Sequence, residues 1–479
     1  MSRTNQAVAH FEDESLNLMD PVRFRVVPLI SSLLFSDLKL NKLPESMYHH
    51  GAETRLDRRE ARALSMKRAG VMNKLLFFLT ALFGVNCHHV LMGQEVVAAE
   101  PSVYEVAERQ MHEDSLAKSE TTLQNALTQD PIDDRARFQL GIVQFFRAVE
   151  TLGQSLHEHG AASERAFQPF LRLPVPDNPE PTTISYHDVS RILDIFIHEL
   201  ERAEATLAKI KNEKVVTPLR LLPIRLNFTG DPLQATSLMD LLNHFNRQEL
   251  KFEKDNPEFL VHFDRGDVAW LRAYCHLLSA MAEGYQAIDG EIGFEDRVKE
   301  VFPRITPSTR DEPDDWYRFL PISDPPRLRR MRLHMLAVCE LNEETWQFIR
   351  QETDDEFEWL PHPKQTDQLG IPIMDAQIDR WLAMMLELKQ LFSGEKLISS
   401  DALQYFVEDH PEGQGLNLAK VLDNPPEDLF NEDRIRQQGI APDFLEPEEG
   451  KERFNLNVLV QAFFAFNGPF GFFNAVRMN

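Results

Sequence analysis

Apolar residues recur at helical spacing in long runs along this chain, and that periodicity constrains the fold more than any other feature. From about 187 to 211, Val189, Ile192, Phe196, Leu200, Ala203 and Leu207 form one stripe. Between about 267 and 288 a second stripe carries Leu271, Tyr274, Cys275, Leu278, Met281 and Tyr285, and within about 374–393 a third carries Ile378, Trp381, Leu382, Met385, Leu388 and Phe392. Similar patterning predicts helices at about 235–251 and 327–350. Glycine is scarce, 20 residues in 479, which disfavours sandwiches and barrels that need many tight turns. The reading is a mainly α, irregular multi-helix globular protein. A minor β element is expected near 215–230, where VVTPLRLLPIRLNFTGDP alternates apolar residues between Pro and Gly.

Charge is unevenly spread. Residues 1–94 hold 12 basic and 9 acidic side chains, leaving 39 basic and 67 acidic for the remainder. So acidic a body repels phosphate backbones and anionic headgroups, which excludes nucleic acid binding by general electrostatics. Solubility through net charge accounts for it.

The N-terminal region follows a different pattern. Met72-Asn73-Lys74 precedes an apolar run of 11 residues, Leu75 to Val85, and the chain then becomes small and polar up to Val97-Ala98-Ala99. A basic start, an apolar centre and an Ala-rich end predict a secretory signal peptide over 72–99, or an uncleaved anchor held by residues 75–85. The run is short of the ~20 apolar residues that cross a bilayer. Residues 1–71 are expected to be a disordered extension or to lie before the true start. Cysteine usage fits export: beyond Cys87 only Cys275 and Cys339 remain, each within an amphipathic pattern, so burial is favoured over a disulfide.

Residues 103–157 form the first helical block. In LAKSETTLQNALTQDPIDDRARFQLGIVQFFRAVETL, Ser119, Leu123, Ala126 and Pro131 are followed by Leu140, Gly141 and Ala148. Small residues let paired helices approach closely, and Pro131 ends one helix before the next begins. This stretch of about 45 residues resembles the join between two tetratricopeptide repeats. The resemblance implies a helical hairpin over 100–165 that offers a surface to a protein partner. It ends at Gly153 and His157, which depart from the repeat, so a solenoid of three or more repeats is not expected. Five prolines between 169 and 181 predict a linker over 166–186, and 187–479 is expected to be an α-rich globular domain.

Chemistry-bearing motifs are few. His198-Glu199-Leu200-Glu201-Arg202 is one residue short of the HExxH zinc motif, and arginine cannot ligate the metal. Asn227 to Asp231 resembles a degraded calcium loop, with Asn227 and Asp231 as candidate ligands. Pro232 stands where glycine is needed and Leu238 where the bidentate Glu should be, so a plain turn is the competing reading. Arg265-Gly266-Asp267 spells a cell-adhesion tripeptide, which a helix-capping role for Asp267 explains. The acidic run Glu352 to Glu358 reads as a solvated face or loop. His157-Glu158-His159 and His88-His89 are too closely spaced to indicate a metal site. No GxGxxG, P-loop or GxSxG occurs, so no cofactor, resident metal or catalytic residue is predicted.

Six phenylalanines between Phe463 and Phe473 surround Asn467-Gly468-Pro469. They are expected to close the core, with a docking patch for a protein partner or a membrane interface as the alternative. With its leader, the chain resembles an exported bacterial protein. The expected role is an exported (periplasmic or extracellular) scaffold or binding protein, with membrane contact only if residues 75–85 are retained. The alternatives are an enzyme whose site is assembled from distant residues and a membrane-anchored protein.

Overall fold

The computed structural model describes residues 101–465 apart from 114, 167, 241–255, 308–320, 367–372, 405–406, 408–409, 432–433 and 436–437. The expected extension 1–71, the signal or anchor segment 72–99, most of the helix expected at 235–251 and the tail beyond 465 lie outside the described residues.

The protein is mainly helical with only small sheets. Helices α1 (Val103–Glu113), α2 (Leu116–Gln129) and α3 (Asp134–Glu158) follow one another through short turns. Ser115 and Asp133 cap α2 and α3 by accepting from the backbone N–H of Lys118 and Ala136. Pro131 falls in the turn between them, where its missing N–H costs no helical hydrogen bond.

Helix α4 (Tyr186–Leu207) starts with a capping box between Ser185 and Asp188 and buries the stripe from Val189 to Leu207. It packs against α3, then against α5 (Arg265–Gln286). A short helix α6 (Phe294–Val298) precedes α7 (Pro325–Ile349), which lies along α5. Next come α8 (Asp375–Ser393), which ends at Gly394 in the left-handed conformation (φ 80°), α9 (Ser400–Leu403), α10 (Leu418–Asp423) and α11 (Leu456–Ala465). No helix among the described residues is long and apolar enough to cross a membrane.

Strands are short and paired in twos. The expected element near 215–230 divides into β1 (Thr217–Arg220) and β2 (Arg225–Leu226). β1 pairs antiparallel with β4 (Leu260–Phe263), setting Thr217 opposite Phe263, and β2 pairs with β3 (Thr236–Ser237). Further on, β5 (Lys396–Leu397) runs parallel to β8 (Glu452–Arg453), and β6 (Gln414–Leu416) is antiparallel to β7 (Leu445–Pro447).

One apolar core runs from Ala107 of α1 to Ala462 of α11. The Pro-rich stretch is packed rather than free: Phe170, Leu173 and Ile184 enter that core. His157, His159 and Asn178 fasten it, with His157 Nδ1 2.9 Å from the Pro176 carbonyl and Asn178 Nδ2 donating to the carbonyl of His157. A second core gathers Leu403, Leu416, Leu418, Val421, Leu422 and Leu429, and Leu388 and Phe454 touch both. Cys275 and Cys339 are buried free thiols, in keeping with the small apolar role expected of them.

Buried charge ties the first helices together. Glu120 of α2, 3% exposed, receives Arg147 from α3 and Arg202 from α4, the latter at 2.6 Å, while Gln124 and Gln144 donate to the same carboxylate. Arg202, the residue that spoils the zinc motif, thus serves a carboxylate whose desolvation needs compensating cations.

Candidate functional site: a carboxylate cluster

The densest group of potential ligand atoms among the described residues forms where β4 turns into α5. Asp264 is the N-cap of α5, accepting from Gly266 and Asp267 N–H groups at 2.7 and 3.2 Å, and Asp267 returns the bond from position N3. This corrects the expectation that Asp267 caps the helix: the cap lies three residues earlier, because the capping box needs an acceptor at both ends of the first turn. The Arg265-Gly266-Asp267 tripeptide is therefore the first turn of a helix. Gly266 is required there by crowding, since a Cβ would stand 2.8 Å from Ile349 and 3.5 Å from Glu352 Oε1.

Residues 350–366 wrap over that turn. Glu352 and Glu358 come from this loop, and with Asp264 they place one carboxylate oxygen each within 4.8 Å of one another. The expectation of a solvated acidic run holds for Asp354 to Glu356 but fails for Glu358, which is 6% exposed. The reason is backbone geometry. Phe357 adopts φ 64°, a conformation costing a residue with a Cβ about 1–2 kcal/mol, and its carbonyl accepts from His262 N–H at 3.0 Å. That reversal carries Glu358 and Trp359 inward, where the Trp359 ring packs on Phe263 and Trp270 with centroids 5.8 and 5.4 Å apart.

Electrostatics follow from the crowding. Glu352 is held far above the usual carboxylate range, first by burial, then by its hydrogen bond to Asp264 and the charges of Asp264 and Asp267. Its Oε1 is buried with no donor facing it, whereas Oε2 accepts from Gln365 at 3.2 Å. Two facing carboxylates cannot both be acceptors; a proton on Glu352 turns it into the donor and removes the repulsion. Glu358 is pushed up to about 7 by burial, reinforced by Asp264, Asp354 and Asp355 and opposed by the Glu356 N–H it accepts from at 3.1 Å.

These oxygens are the donor type that hard divalent cations use, and with one oxygen from each residue a calcium ion would need further ligands. The proton on Glu352 neutralises the pair by itself. Chemically, the cluster can hold and release protons near neutral pH.

The calcium candidates lie elsewhere and are engaged in turn formation. Asp231 Oδ1 accepts from Leu233 N–H and Oδ2 from Gln234, while Asn227 Oδ1 accepts from Thr229, its backbone N–H donates to Glu150 Oε1 and its carbonyl accepts from Gln154 Nε2. Sequence reasoning overlooked Asp264 and placed Glu352 in a solvated acidic run. The spacing Asp264-x-x-Asp267 carried a capping-box signal, but nothing local indicates that a loop 88 residues after Asp264 folds onto that turn. The chain matches no family model, no curated protein and no solved structure.

Proposed function

We propose that the chain is an exported helical scaffold or binding protein. The observation that carries this reading is the order of packing: each of α1, α2, α3, α4, α5 and α7 packs against the long helix that follows it in the chain. Stacking by near neighbours leaves long helix faces uncovered, which is how repeat-like helical proteins present surfaces to partners. Along the outer face of α4 runs an open groove of about 550 Å³ lined by Arg191, Asp194, Ile195 and His198, among others. Its mixture of both charges with one exposed branched apolar side chain suits a protein surface better than a small molecule. The repeat-like hairpin at α2 and α3 supports the same reading.

The test is chemical cross-linking of the full-length protein in its native source, with fractionation. A defined protein cross-linked to peptides of α4, recovered from the exported fraction and lost in Ile195→Asp, is the expected result. Recovery of the protein uncross-linked from the cytoplasm overturns both parts of the reading.

A second reading is favoured by the carboxylate cluster, which is assembled from distant residues and holds protons away from the ordinary carboxylate range, as acid–base enzymes do. It predicts a turnover that Glu352→Gln abolishes without loss of fold.

A further inference from the structure

A separate titratable cluster lies on the seam between α5 and α7. His276 of α5 and His334 of α7 face each other with Nδ1 atoms 2.8 Å apart and ring centroids 5.1 Å apart. At that separation one Nδ1 must carry a proton and the other must be bare, since two N–H groups or two lone pairs repel. The seam therefore admits one doubly protonated ring or none, and never two.

The surroundings decide which ring stays neutral. From α4, Glu204 Oε1 lies 3.7 Å from His276 Nε2, and Arg272 of α5 holds the same carboxylate at 2.9 Å. Burial raises Glu204, but His276 and Arg272 outweigh it and keep the carboxyl below its ordinary value. On the other side, α7 offers Arg330 and Arg327, both bound to the buried Glu283 of α5. Charges from the remaining neighbours are already paired: Lys389 of α8 with Glu340, and Asp423 of α10 with Arg332. With Glu204 at the far edge of its ring, His276 is placed as the donor across the seam, and His334 is the acceptor. Burial first, then the charges of His276 and Arg330, hold His334 down to about 4, with Glu283 and Glu204 opposing.

We propose that His276 and His334 form an acid-operated latch, which closes α5 onto α7 while His334 accepts the hydrogen bond and releases the seam when a second proton enters. The sign follows from linkage. A histidine held below its unfolded value of 6.5 contributes stability that is present above that pH and lost as the pH falls toward about 4. Within that window the opening constant rises up to ~tenfold per pH unit for one proton.

Amide hydrogen exchange of the full chain at pH 7, 6 and 5, corrected for intrinsic rates, tests the proposal on peptides covering 265–286 and 325–349. The unsubstituted protein is expected to open more readily at each step down. His334→Asn, whose amide oxygen stands where Nδ1 does and keeps the acceptor but takes no proton, is expected to lose that slope. Equal slopes in the two proteins overturn the latch. Imidazole nitrogen shifts of the unsubstituted protein supply a reading that needs no variant: one ring keeps a bare Nδ1 down to about pH 5, whereas joint protonation of both rings near their ordinary value overturns the proposal.

Discussion

A carboxyl group facing another carboxyl over a helix N-terminus has two stable choices, a cationic partner or a proton, and burial with Asp264 opposite raises Glu352 toward the second. The consequence for stability has a definite sign. A carboxyl whose folded pKa is raised contributes stability fully present below its unfolded value near 4.5, which is lost as pH rises through the folded value; for Glu358 that window runs from about 4.5 to about 7. Glu352→Gln should therefore raise stability at pH 8 by about 1 kcal/mol, because the amide donates to Asp264 as the protonated acid does and never ionises. Urea unfolding across pH 4 to 8 checks this: the gap between variant and parent should close near pH 4. The His334 contribution runs in the opposite direction, so the two residues separate cleanly by the slope of stability with pH. At this scale the cap of α5 was legible only in part: Asp267 was read as the N-cap, whereas Asp264 caps the helix and Asp267 completes the box from N3. The protonation of Glu352 was not legible, because it depends on a neighbour remote in sequence.

At the scale of elements, close approach of α3 to its neighbours rests on two glycines. A Cβ on Gly141 would lie 2.4 Å from the Leu207 side chain, and one on Gly153 would lie 2.2 Å from Phe228. Gly141 stands where the repeat-like pattern wants a small residue. Gly153 departs from that pattern, yet performs the same service against the segment after α4. Leu207 is fully buried and has no room to withdraw. Gly141→Ala should destabilise by about 1–3 kcal/mol through overpacking, although alanine regains up to ~1 kcal/mol of helix propensity. Thermal unfolding monitored by circular dichroism measures the balance, and an unchanged midpoint would show that α4 can shift outward. Helix positions were readable from their stripes because a 3.6-residue period is a local property. The strands were less so: the stretch read as one element near 215–230 turns at 222–223, where Ile224 N–H bonds back to the Leu221 carbonyl, and β2 beyond the turn pairs with β3 rather than β4.

For the molecule as a whole, the main core joins α1 and α11, the first and last helices among the described residues. α11 packs on α8 and buries Leu459 and Ala462 in that core. Removing residues 456–479 should therefore lower stability by about 2–5 kcal/mol, the range for emptying buried aliphatic positions. Calorimetry of the truncated protein checks this, and unchanged stability would assign the Phe-rich end to docking instead. The second core, around Leu416 and Leu422, contains an apolar cavity of about 60 Å³. Leu388 and Phe454 couple it to the first, so a single cooperative transition is expected of the intact protein.

The amino-acid pattern by itself determined the mainly helical class, the burial of Cys275 and Cys339 and the ruling out of a zinc helix at His198, all of which rest on spacing or side-chain chemistry within a few residues. Only the tertiary structure decided that Asp264 meets Glu352 and Glu358, that Arg202 compensates Glu120, and that His276 faces His334. Those pairings depend on loops and helices separated by tens of residues, where the energy of one approach is set by every other contact the core makes.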